Sequence, residues 1–109
     1  MALSTEIIET LKTAQVAELP KLYYCTVQDG KRLFISEMTA KARNPIDETI
    51  TFDEQYTNAE GKLIKYSRVI YYRQLSNNET ILTRNSSLFR GIFESEQSAI
   101  AAAQEHLTN

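Results

Sequence analysis

The chain has 109 residues, 42% of them hydrophobic and 9% aromatic, with 12 basic and 14 acidic side chains and a formal net charge of −2. This is the make-up of one ordinary globular domain, and three Gly and two Pro exclude a collagenous or low-complexity chain. A lone cysteine, Cys25, excludes an intramolecular disulfide framework, and no stretch approaches the roughly 20 apolar residues that cross a bilayer. Glu6, Glu9 and Lys12 interrupt the N-terminal segment, which therefore lacks a signal-peptide pattern, and the expected setting is cytoplasmic, with no membrane contact.

In chain order, Leu3, Ile7, Ile8, Leu11 and Ala14 recur on one side of a 3.6-residue period, opposite Glu6, Glu9 and Thr13. This spacing predicts an amphipathic helix, capped by Ser4 or Thr5 and ended by about Leu19, because Pro20 disfavours helical geometry before it. The aromatic and β-branched run 22–27, the Asp29-Gly30 pair and the run 33–35 predict a β-hairpin. Residues 39–47, with Asn44-Pro45, read as a connection. Ile50, Phe52 and Tyr56 then alternate with Thr49, Thr51 and Asp53 as in a half-buried strand, which turns at 58–61 and returns as a long strand from Leu63 to about Leu75. Short strands over 80–84 and 88–93 follow, and a second amphipathic helix opens at Ser95 and carries Ala99, Ile100, Ala103 and Leu107 on one face.

The predicted fold is a single α+β domain over 1–109: an N-terminal helix, an antiparallel meander of five or six strands and a C-terminal helix, both helices on one face of the sheet. All ten aromatic residues fall in the predicted sheet, so the sheet should own the core. Its second face is then left to water or to a partner.

Charge is uneven along the chain. Asp47, Glu48, Asp53, Glu54 and Glu60 lie in a stretch without a Lys or Arg, whereas Lys62, Lys65, Arg68, Arg73, Arg84 and Arg90 are met by Glu79 alone. Closing the hairpin with Thr57 opposite Lys62 aligns Glu54 with Lys65, Phe52 with Ser67 and Ile50 with Val69. Such cross-strand pairs are worth about 0.2–1 kcal/mol each, enough to favour a register without implying a ligand. In that register Ile50, Phe52, Tyr56, Leu63, Val69 and Tyr71 share the core face, and Tyr66, Arg68, Ile70 and Tyr72 share the open one.

No constellation of catalytic groups stands out. Cys25, flanked by Tyr24 and Thr26, reads as a small buried hydrophobe, and His106, the single imidazole, sits near the end of the last helix. One Cys and one His cannot make a zinc site, the adjacent acids Asp47-Glu48 and Asp53-Glu54 point apart in a strand, and isolated glycines make no phosphate loop. The expectation is a non-enzymatic protein-interaction module without metal or cofactor, an inhibitor or accessory regulator that occludes a partner's surface. Tyr66, Ile70 and Tyr72 would be its packing anchors and Arg68 its bidentate donor, with homodimerisation through the same face as another use. The alternative is a single-stranded nucleic-acid platform built from Lys65, Tyr66, Arg68 and Arg73, against which the acidic net charge argues.

Overall fold

The first helix starts where a serine can accept its free amides. In a computed structural model, which describes residues 3–28, 32–76, 83–84 and 88–108, with side chains over 3–27, 34–75 and 91–105, α1 spans Thr5–Thr13 and the Ser4 hydroxyl accepts from the Ile7 amide at 3.2 Å. It ends six residues before the predicted limit, and a 3-10 turn at Val16–Glu18 leads into the sheet. The C-terminal carbonyls of α1 are held from a distance: Arg43 donates from Nε and Nη2 to the Leu11 carbonyl at 3.1 and 2.8 Å, and also to that of Ala14. A cation at this end offsets the helix dipole and satisfies carbonyls that have no helical partner.

The strands are β1 (Leu22–Gln28), β2 (Arg32–Asn44), β3 (Thr49–Thr57), β4 (Leu63–Tyr71), β5 (Thr83–Arg84) and β6 (Leu88–Phe93). Among the described residues they form one antiparallel sheet in the order β4-β3-β2-β1-β6-β5. A short helix, α2 (Tyr72–Ser76), begins the return from edge strand β4 towards the opposite edge, and α3 (Glu96–Thr108) closes the described chain. The α+β architecture with terminal helices around an antiparallel sheet is the predicted one. The Asp29-Gly30 turn and the turn after Ser76 lie outside the described residues.

Three local expectations change. Residues 39–44 belong to β2, which pairs with β3 across a register shift between Ala40 and Ala42, so the Asn44-Pro45 signal marks only the tip of a hairpin. The strand after Leu63 stops at Tyr71, and Tyr72 is helical. The hairpin between β3 and β4 is one residue longer than the sequence reading allows: Asn58 and Lys62 close it through an amide-to-carbonyl bond of 2.9 Å, and Gly61 adopts φ +80°. The Asn58 side-chain oxygen accepts from the amides of Glu60 and Lys62 at 2.9 and 3.0 Å, which fixes this wider loop. Thr57 therefore faces Leu63, and Glu54, Phe52 and Ile50 face Tyr66, Arg68 and Ile70. A slip of one residue moves every β4 side chain to the other face of the sheet.

The helices also lie on opposite faces, not on one. Leu22 and Tyr24 of β1 join Leu11, Met38, Ile50, Phe52, Ile70, Leu75 and Ile92 in a core beneath α1 and α2. Cys25 and Val27, pointing the other way, join Phe93 with Ala99, Ala102 and Ala103 of α3. The reason is legible in β1 itself, where 22–27 is apolar at nearly every position, as expected of a strand covered on both sides.

Candidate interaction surface

Of the four residues expected on an open face, Ile70 is in the core at 2% exposure and Tyr72 packs against that core from α2. Tyr66 and Arg68 share the α1 face of the sheet, where they surround the buried carboxylate of Glu54. Tyr66 donates its hydroxyl to Glu54 Oε1 at 2.7 Å, while Arg68 pairs with the same carboxylate through Nε and reaches Oε1 from Nη2 at 3.5 Å. The guanidinium stacks 4.0 Å over the Tyr24 ring, and Tyr56 meets the Tyr66 ring edge-on at 6.2 Å.

The polar groups of this cluster bond one another, while Tyr66 itself remains 38% exposed. Burial disfavours the Arg68 charge, but the hydrogen bonds to Glu54 and Tyr66 outweigh it and hold the guanidinium above its ordinary range. Burial, reinforced by the bond to Glu54, likewise raises the Tyr66 phenol. The polar groups of Tyr66 and Arg68 are thus engaged with Glu54 within the fold.

What the structure leaves open among the described residues is the α3 side of β3 and β4. Helix α3 covers β1 and β6 on that side, reaches Ile35 of β2 and stops short of β3 and β4. There Leu63, Val69 and Tyr71 project from β4 at 50%, 52% and 41% exposure, interleaved with Lys65 and Ser67. Their neighbours on β3 are all polar: Thr49, Thr51, Asp53, Gln55 and Thr57. A shallow concavity of about 550 Å³ runs between Lys21 and Glu37, paired at 2.8 Å, and the Lys65–Ser67 edge, with Thr39, Asp53 and Gln55 between them. A smaller hollow of about 220 Å³ lies where Glu96 at the start of α3 meets Ile35, Gln55 and Leu63.

The sequence reading puts Leu63, Val69 and Tyr71 on the core face, and the structure puts them on the open one. The signal that could have found them is Asn58 followed three residues later by Gly61, the pattern of a three-residue loop with a left-handed glycine. The alternative platform is divided by the same register: Lys65 lies on the open face, Tyr66 and Arg68 on the other, and Arg73 on α2 with its guanidinium 4.4 Å over the Tyr71 ring.

Cys25 is fully buried, its thiol donating weakly to the Ala99 carbonyl at 3.8 Å, and burial pushes its pKa up to about 11. The side chain of His106 lies outside the described residues. Among the described residues no three His, Cys, Asp or Glu side chains gather as metal ligands would, and no helix is long and apolar enough to cross a membrane. In comparison with known proteins, the chain matches no family model, no curated protein and no solved structure.

Proposed function

We propose that the chain is a non-enzymatic protein-interaction module, an inhibitor or accessory regulator that acts by covering part of another protein's surface. The observation that carries this reading is the exposure of Leu63, Val69 and Tyr71 on one side of β4, while the buried apolar side chains of the described strands divide between two cores. Single exposed apolar residues need no explanation, but three on one side of a strand, with Lys65 between Leu63 and Val69 and Arg73 over the Tyr71 ring, have the make-up of an interface centre and rim. Tyr71 is the anchor in this arrangement, since aromatic side chains carry large contact area at small entropic cost.

Val69→Ala and Tyr71→Ala should each shift unfolding free energy by less than about 0.5 kcal/mol, because neither side chain supports the core. Each should reduce capture of the partner that the wild-type tagged protein retains from nuclease-treated extract. Undiminished capture by both variants, or retention that disappears with nuclease, overturns the reading.

A further inference from the structure

The two edges of the sheet are unlike. One is β5, with two residues, and the other is β4, whose nine residues pair with β3 in unbroken register and contain neither proline nor bulge. Natural sheets usually shield so long an edge.

The bonding phase of β4 follows from its last residues. The Tyr72 amide donates to the Glu48 carbonyl at 2.9 Å, whereas the Tyr71 amide donates to the Gln74 side-chain oxygen at 2.9 Å. In an antiparallel ladder the alternation continues back along the strand, so even-numbered residues bond β3 and the amides and carbonyls of Leu63, Lys65, Ser67 and Val69 point outward. Gln74 closes the frame at Tyr71, leaving a ladder over 63–69 that is open among the described residues.

The side chains beside this ladder define what would add to it. Lys62, Lys65 and Arg73 have no carboxylate within 4.0 Å among the described residues, and neither β4 nor α2 contains an acid. A second copy of β4 would bring the same cations to the seam, so charge disfavours self-pairing. The exposed apolar groups of the open face are concentrated on β4 instead of β3, where an added strand would cover them.

From the open ladder, its unpaired cations and its apolar row, we infer that β4 accepts an extended acidic segment of another protein as a seventh strand, with a carboxylate opposite Lys65 and apolar side chains opposite Leu63 and Val69. This rests on the reading of the β4 face as an interaction surface and specifies how it is used. Main-chain bonds supply affinity in such strand addition, and alternate side chains supply selectivity.

The test uses the full chain and three probes: a peptide alternating Thr with Val and Glu, the same peptide with Lys for Glu, and a single-stranded oligonucleotide. The acidic peptide should bind more tightly than the basic one and slow amide exchange at Lys65, Ser67 and Val69. Ser67→Pro removes an outward amide that bonds nothing in the fold, and should abolish binding while far-UV circular dichroism stays unchanged. Lys65→Glu, which leaves the backbone alone, should weaken the acidic peptide about tenfold and favour the basic one. Acidic-peptide binding that is sensitive to Tyr71→Ala but leaves those amides unprotected overturns strand addition and spares the face. Preference for the basic peptide, or no binding of either, overturns the proposal, and tighter binding of the oligonucleotide replaces it with the nucleic-acid alternative.

Discussion

The two faces of this sheet are built with different materials. Beneath α1, the 3-10 turn and α2 the core consists of large side chains, with Leu11, Leu22, Met38, Ile50, Phe52 and Leu75 all fully buried. Beneath α3, among the described residues, the contact is made by Cys25, Val27, Phe93 and three alanines, with Tyr23 and Ile35 packed at the margin. Small residues let a helix approach closely, but they span little width. The first face is therefore covered widely enough that a carboxylate, Glu54, is buried within it, and among the described residues the second is covered over β1, β6 and the Ile35 end of β2. Coverage, more than hydrophobicity along the strands, decides which side of β4 meets solvent.

The sharpest way to break this contrast is to hollow out the large-residue face. Phe52→Ala should cost about 3–5 kcal/mol in urea unfolding, since a fully buried aromatic leaves a cavity that its neighbours fill only in part. A cost under about 1 kcal/mol would mean that this face is loosely packed.

Next in size is the ion pair. Glu54→Ala leaves the half-buried Arg68 without its carboxylate and should destabilise by about 3 kcal/mol. Replacing both partners, Glu54→Leu with Arg68→Leu, should recover most of that loss. If the double variant is as unstable as the single one, the shape of the salt bridge matters and its charge does not.

The smallest effect concerns the alanine side. The buried Cys25 thiol has its pKa raised from an ordinary 9.0 to about 11, so between those values the unfolded chain releases a proton that the folded chain keeps. Stability from this group is complete below pH 9 and is lost as pH rises through the folded value. Urea midpoints measured from pH 8 to pH 11 should fall with a slope that flattens in Cys25→Ala. The raised Tyr66 phenol adds a decline of the same sign in both proteins. An unchanged slope would show that the thiol already ionises normally in the folded state.

The element order was legible in the sequence because helices and strands announce themselves by period. The apolar spacing of α1, the alternation in β3 and the Ser95 start of α3, whose hydroxyl accepts from the Ser98 amide at 3.1 Å, appear where the pattern puts them. What the pattern missed was phase. β4 has apolar residues at both parities, Leu63, Val69 and Tyr71 on one and Ile64 and Ile70 on the other, so periodicity alone fits two registers. Charge did not resolve them either, because Glu54 finds a basic partner in both, Lys65 in one and Arg68 in the other. The candidate site inherited that ambiguity: of the residues expected on the open face, Ile70 lies in the core and Tyr66 and Arg68 lie on the α1 side.

The loop from Asn58 to Lys62 thus works like the start of a reading frame. Lose one residue between its ends, and the chain must either find another turn or present Ile64, Tyr66, Arg68 and Ile70 where Leu63, Lys65, Ser67 and Val69 now stand. The first choice forfeits the left-handed glycine and the Asn58 bonds, and the second strands the Glu54 carboxylate without its arginine. Length changes that surface loops ordinarily absorb would here be tolerated two residues at a time, the step that restores every side chain to its own face.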